Sequence, residues 1–402
     1  MDRRDFLKIF AASTAFSMIN PLGTMAGEDI KRPLRVGFIG TGNRGTSVVT
    51  AMSRSCNVEI LALADLFRDR IDGVLGKLND LNKAKGMAAI SEDNIYVGRN
   101  AYKELLKDKR IDIVVIGTPS YVHPEIMEAA IKAHKHVYCE KPAAPDVDGT
   151  LHMMKVARGV KDLSLTLGFQ VRTSPAYDEM IRRIHEGQIG EVMSAQLYYN
   201  CNGGSGARPA VEDEEFRIRN HFRFLKTSGG ILTDQGIHII DICNCVLKAN
   251  PLFAIGLGNQ KGRNYEFGDT LSNYHVVYRY PNDVNVSMQS LQIGPRFGDV
   301  CARFFGSKGV AEAHYSGGVH IKGETRWDSG VQHALTGSDE TKAKLFVDSI
   351  LSHQYINTIE QDCNSTLAAI LGREAVMKGQ QLSWDDMIKE RQRYERVDLS
   401  TF

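Results

Sequence analysis

A glycine-rich turn set between an apolar strand and a helix constrains this chain most. Leu34-Arg35-Val36-Gly37-Phe38-Ile39 reads as a short buried strand, Gly40-Thr41-Gly42-Asn43-Arg44-Gly45 follows it directly, and a helical stretch spans 46–54. In the pattern Gly40-x-Gly42-x-x-Gly45 each glycine has its own task. Gly40 permits a tight turn, Gly42 lets backbone approach a pyrophosphate, and Gly45 lets helix and strand pack closely. The helix start adds free N–H groups and the positive end of a dipole. Asp65 closes the next apolar run, 58–64, where such a turn requires an acid for ribose hydroxyls. A carboxylate there repels a 2′-phosphate and so favours NAD, while Arg68 and Arg70 nearby leave NADP open.

The alternation continues downstream. Helices over 67–78 and 102–107 lead to a strand over 111–116, closed by Gly117-Thr118-Pro119; a helix over 124–133 and a strand over 136–139 follow. Strands alternating with helices imply a parallel sheet covered on both faces. From about Gly190 the texture changes. Runs over 192–200, 273–280, 284–292 and 300–306 read as longer strands, several alternating polar and apolar, with Asn282-Asp283 as a turn between two of them. That pattern predicts an antiparallel sheet with one open face. A helix over 365–378 ends at Gly379, a natural cap. The expected fold is therefore an α/β N-terminal Rossmann domain, 33–155, plus an α+β domain, 156–402, with a large, mainly antiparallel open sheet. The last helix is placed to pack back on the first domain. A length of 402 residues suits two domains.

Residues 1–32 read as an export leader. Arg3-Arg4-Asp5-Phe6-Leu7-Lys8 precedes the modestly apolar run 9–19 and small residues around 23–27, and the paired arginines resemble a twin-arginine signal. The expected location is periplasmic, or cytoplasmic if the leader does not function. The apolar run is too short for a stable membrane span. A formal charge of +1 gives no reason to expect nucleic acid as a partner, and small molecules fit better. Seven cysteines show no metal or redox spacing, so no metal is expected; one disulfide is open to an exported form.

A second chemical feature lies in Gly229-Gly230-Ile231-Leu232-Thr233-Asp234-Gln235-Gly236-Ile237-His238-Ile239-Ile240-Asp241. Asp234 and His238 stand four apart, hence on one face of a helix, where they form a general acid/base pair. Lys141 in Glu140-Lys141-Pro142 is a third candidate. Taken by themselves, Lys141 reads equally well as a surface lysine and His238 as a satisfied core histidine.

These pieces together resemble the Gfo/Idh/MocA oxidoreductases. The matching segments are Gly40 to Gly45, Thr118-Pro119-Ser120-Tyr121-Val122-His123, Val137-Tyr138-Cys139-Glu140-Lys141-Pro142, Gly168-Phe169-Gln170-Val171-Arg172, Gly229 to Asp241, and Ser383-Trp384-Asp385-Asp386. The resemblance implies that Lys141, Asp234 and His238 form the catalytic set beside a nicotinamide. It also implies a cofactor site at Gly40, Thr41, Gly42, Asn43, Arg44, Gly45, Asp65, Thr118, Pro119, His123, Glu140 and Lys141. Gln170, Arg172, Asn200 and Gln235 are candidate polar contacts for sugar hydroxyls, and Asp241 is structural or substrate-orienting rather than a metal ligand. The implied activity is NAD(P)-dependent oxidation or reduction of a secondary hydroxyl on a sugar or glycoside, with a 3-keto-sugar as one product. A tightly held, recycled cofactor would reconcile that chemistry with export. Two alternatives stand beside it: an NAD-dependent glycoside hydrolase working by transient oxidation and elimination, and a non-catalytic sugar-binding protein. The hydrolase branch carries a Tyr-Pro-Thr-His segment that this chain lacks. Family members bury the open sheet between subunits, which implies a homodimer or homotetramer.

Overall fold

Apolar runs with no polar face build the first sheet of the computed structural model, which describes residues 32–203, 206–207, 211–263, 266–293, 298–400 and 402. The leader expectation falls on residues 1–31, outside the described residues. β1 (Leu34–Ile39), β2 (Val58–Asp65), β3 (Ile95–Val97), β4 (Ile113–Ile116), β5 (His136–Cys139) and β6 (Leu165–Leu167) pair in parallel in the order β3-β2-β1-β4-β5-β6. The connections carry α1 (Asn43–Ser55), α2 (Arg68–Lys83), α3 (Ala101–Lys107), α4 (His123–Lys132) and α5 (Val147–Ala157). Strand order reverses between β1 and β4, which opens a crevice at their carboxyl ends. Because β6 lies beyond residue 155, the first sheet extends past the domain boundary read from the sequence.

After α6 (Pro175–His185), alternating sequence takes over. β7 (Val192–Cys201) is followed by α7 (Glu214–Arg219), the single turn α8 (Leu225–Ser228), a π-helical turn (Leu232–Gly236) and α9 (Ile237–Leu247). Then come β8 (Phe253–Asn259), β9 (Asn273–Arg279), β10 (Asn285–Gln292), β11 (Asp299–Gly306), β12 (Gly309–His314), β13 (Val319–Gly323) and β14 (Trp327–Asp328). With β15 (Leu382–Ser383) they form one sheet, ordered β14-β13-β12-β11-β7-β10-β9-β8-β15. Every pairing is antiparallel except β7 with β10. Asn282 and Asp283 both take φ of 59°, the left-handed pair that closes a two-residue hairpin between β9 and β10.

One face of this sheet packs on α6, α9 and α11 (Ile359–Lys378), which starts earlier than sequence patterning suggests and ends at Gly379 with φ 64°. A short α12 (Trp384–Glu390) follows β15. The preceding helix, α10 (Ser338–Leu351), returns to the first domain and lies against α1. Its Ala343, Phe346, Val347 and Ile350 join the same buried cluster as Val36, Phe38, Val48 and Ile60. Phe346 meets Tyr138 of β5 edge-on, with ring centroids 5.8 Å apart. All seven cysteines are free thiols, so the disulfide left open by the sequence is not formed. No helix among the described residues is long and apolar enough to cross a membrane.

Candidate active site

A cleft of about 680 Å³ runs along the carboxyl ends of β1 and β4. Gly40, Gly42, Asn43, Asp65, Thr118 and Pro119 line one end; Lys141, Gln170, Tyr199, Asp234, Gln235 and His238 line the other. The first end is shaped for a dinucleotide. Gly40 takes φ of +83°, and a Cβ there would sit 2.5 Å from the Thr118 amide nitrogen, so only glycine lets the two turns meet. At Gly42 a Cβ would meet nothing within 4 Å, which leaves the approach to the α1 N-terminus open. That N-terminus has no side-chain cap and no acid in its first turn, so its N–H groups remain available to phosphate. A Cβ at Gly45 would strike the Phe38 ring at 2.7 Å, confirming its packing task.

Asp65 sits at the cleft edge, accepting from the Thr41 amide (2.7 Å), the Thr41 hydroxyl (3.0 Å) and the Phe67 amide (3.0 Å). Thr41 is thereby corrected from cofactor contact to support: it is buried, and both its donors hold Asp65. Arg68 is engaged by Asp72 and Glu92, whereas Arg70 lines the cleft. Arg44 also lines it, but its guanidinium bridges Glu140 (3.0 Å) and Asp339 of α10 (2.7 Å). Burial pushes the Glu140 carboxyl above its usual range, against the pull of Arg44.

His123 does not reach the cleft. Its Nδ1 lies 2.8 Å from the Pro142 carbonyl and its Nε2 2.8 Å from the Thr118 carbonyl, so the neutral ring sits between the two loops that frame the site and donates to one of them. The cofactor contact expected from the sequence is corrected accordingly. Burial pushes this imidazole down to about 4. Below about pH 6.5 the unfolded chain therefore binds a proton that the folded chain refuses, so stability falls as pH falls. Between pH 6.5 and 5 His123 alone costs on the order of 2 kcal/mol. Urea midpoints should drop over that interval, and less steeply in a His123→Asn chain; matching slopes would refute the assignment.

At the other end, Lys141 follows β5, and its peptide bond to Pro142 is cis. Its Nζ donates to the Asp234 backbone carbonyl and lies 3.7 Å from Asp234 Oδ1, with both side chains nearly buried. Asp234 belongs to the π-helical turn, not to an α-helix, so the wider turn removes the simple stacking expected of residues four apart. Its carboxylate faces Lys141, and His238 opens α9 with its Nδ1 buried and unpartnered. The imidazole stands edge-on to Phe169 (6.1 Å) and Tyr315 (6.5 Å). Burial, then the charges of Lys141, Arg44 and Arg172, hold it well below the usual histidine range and so neutral. Glu140 Oε2 and Gln170 Oε1 are likewise buried without partners. These three unpaired polar atoms lie in the wall of the cleft, beneath its surface.

Two expected sugar contacts are corrected. Arg172 is buried and paired with both Asp241 and Asp362 (2.9 Å to the latter), with its guanidinium over the Phe169 ring; it belongs to the core. Asp241 also accepts from the Ser365 hydroxyl, consistent with the structural role read for it. Asn200 faces the outer side of β7, where it donates to Gln289. Strand alternation instead turns its neighbour Tyr199 into the cleft. Sequence reading also missed α7 and the turn after it. Arg219 stacks on Phe67 of the first domain at 3.8 Å and pairs with Asp69, bringing His221 and Phe222 over the cleft. The helix itself was legible, since Asp213 caps it and Glu215 pairs with Arg219; its position over the cleft was not.

Residues 34–169 match the oxidoreductase family model with an NAD-binding Rossmann fold, and residues 177–312 match the GFO/IDH/MocA C-terminal domain. An inositol 2-dehydrogenase of Rhizobium meliloti (strain 1021) is 27% identical over 219 residues, 54% of this chain and 56% of that protein. A glycosyl hydrolase family 109 protein of Solibacter usitatus (strain Ellin6076) is 28% identical over 252 residues, 60% of this chain and 55% of that protein. The chain thus spans just over half the length of these two relatives. The scyllo-inositol dehydrogenase of Lactobacillus casei, solved with NAD(H) and scyllo-inositol, superposes with a TM-score of 0.69 at 19% identity, covering 88% of this chain and 100% of that one. The glycine turn, the lysine after β5 and the second sheet all belong to one inheritance: this chain is a member of the GFO/IDH/MocA oxidoreductase family, with an NAD-binding Rossmann domain at its N-terminal end.

Proposed function

We propose that this protein uses NAD to oxidise, or in reverse to form, a secondary hydroxyl on a sugar or glycoside. The observation that carries the reading is the meeting, in one cleft, of an open phosphate-binding turn with Lys141, Asp234 and His238. When bound, NAD supplies the ring that accepts hydride from the alcohol carbon. The chain supplies the rest. Neutral His238, which lines the cleft, takes the hydroxyl proton on its imidazole. Lys141 Nζ donates to the same oxygen as charge develops on it, and Asp234 fixes that ammonium through its carbonyl and carboxylate. Gln170 and Gln235 line the same cleft and offer their side-chain amides to neighbouring hydroxyls. The cations that keep His238 neutral also disfavour its imidazolium, so the proton passes on readily after the ketone forms.

The same reading includes export by the Arg3-Arg4 leader with NAD retained and recycled between two sugars. It also includes a homodimer or homotetramer. Ile255, Leu257 and Val277 stand exposed on the outer face of β8 and β9, and a second copy would cover them. The hydrolase relative keeps oxidation followed by elimination as the second reading.

The test uses the purified full chain. Denaturation should release NAD, seen by absorbance and mass spectrometry, and a panel of sugars and glycosides should change nicotinamide absorbance. Release of free aglycone without net reduction would favour the hydrolase. A protein that neither retains nor binds a dinucleotide would overturn both.

A further inference from the structure

We propose that the outer face of the second sheet binds a zinc ion between Cys301, Glu312, His314 and His320. Strand register puts these four on one face. Cys301 pairs with His314 across β11 and β12, and Glu312 pairs with His320 across β12 and β13. The Cys301 sulfur, a Glu312 oxygen and a His314 ring nitrogen all lie within 4.8 Å of one another. His314 Nε2 is 3.3 Å from Glu312 Oε1, and His320 Nε2 is 3.6 Å from that same oxygen. Zinc bonds of about 2.0–2.3 Å in a tetrahedron put neighbouring ligand atoms roughly 3.3–3.7 Å apart. The two measured separations match such edges; the thiol lies within 4.8 Å of the Glu312 and His314 atoms, and His320 joins the group through Glu312 Oε1.

The surroundings are those of metal ligands. His314 Nδ1 lies 3.0 Å from Asp299 Oδ1, which orients the ring with Nε2 toward Glu312. A histidine oriented by a carboxylate in this way is the usual partner of a bound metal. Arg303 Nε holds Glu312 Oε2, which leaves Oε1 as a single-oxygen ligand. His314 Nε2 and His320 Nε2 converge on the same Glu312 Oε1, the arrangement a shared cation would complete. One thiolate and one carboxylate neutralise a divalent ion. Sulfur and imidazole donors select zinc over magnesium or calcium. Cys301 is fully buried, while the other three side chains are 19–30% exposed, so the ion has both a dry wall and an entry path. Four protein ligands fill the tetrahedron, which makes the site structural. It would clasp β11, β12 and β13 near one edge of the sheet, at the opposite end from the exposed Ile255, Leu257 and Val277.

The experiment takes the full chain, strips it with chelator, loads it with zinc chloride, dialyses it and measures metal by mass spectrometry. One equivalent per chain is expected. Cobalt(II) loaded in the same way should give a thiolate-to-cobalt charge-transfer band and the intense visible bands of a tetrahedral ion. Both signals should fall at least tenfold in Cys301→Ser and in His320→Gln. Circular dichroism and NAD binding of these variants show that they fold, and zinc should raise the melting temperature of the parent chain only. No retained zinc, equal retention by Cys301→Ser, or only the weak spectrum of an octahedral cobalt would overturn the proposal.

Discussion

Replacing His238 with alanine is expected to slow sugar oxidation by about a hundred- to ten-thousand-fold while leaving NAD affinity within a few-fold of the parent. The separation follows from position. His238 opens α9 on the second domain's side of the cleft, away from Gly40, Gly42 and Asp65. Steady-state turnover together with dinucleotide titration would measure both effects. Because burial and three nearby cations keep the imidazole deprotonated, the parent's acid limb should lie below the usual histidine value, and it should vanish in His238→Ala. Equal loss of turnover and NAD binding would instead make His238 a packing residue.

The second large effect concerns stability. Arg172→Met should destabilise the protein by about 3–5 kcal/mol, because it leaves Asp241 and Asp362 buried without their shared cation. Lys342 also acts on Asp362, but burial pushes it down to about 8, so it compensates poorly. Adding Asp241→Asn and Asp362→Asn to Arg172→Met should recover part of the loss. A chain with Arg172→Met that keeps its urea midpoint but loses sugar affinity would return Arg172 to the substrate site.

What could be read from the sequence was mostly what local geometry dictates. The glycine turn, its flanking strand and helix, and Asp65 depend on residues close together in the chain, and they stand where the pattern put them. The Asn282-Asp283 hairpin is equally local. Lys141 and His238 reached one cleft because the family pattern carries long-range information that spacing alone does not. The errors share a cause. Arg172 and His123 carry polar groups beside functional loops, and nothing nearby in the chain announces that Asp241, Asp362 or the Pro142 carbonyl will absorb them. Asn200 failed by one residue, the smallest slip that moves a side chain to the other face of a strand. For Asp234 the fault was in the helix type, since a π-turn follows from packing rather than from propensity.

The return of α10 to the first domain bears on how this protein is made. The core around Val36, Phe38 and Ile60 is not closed until Phe346, Val347 and Ile350 arrive, and Arg44 waits for Asp339. During synthesis the nucleotide-binding half must therefore stay incomplete while most of the second sheet is translated. Any chain cut short before α10 would present that apolar surface to the cell. Closure of the nucleotide-binding core is thereby tied to a helix that lies beyond β7 to β14 in the chain.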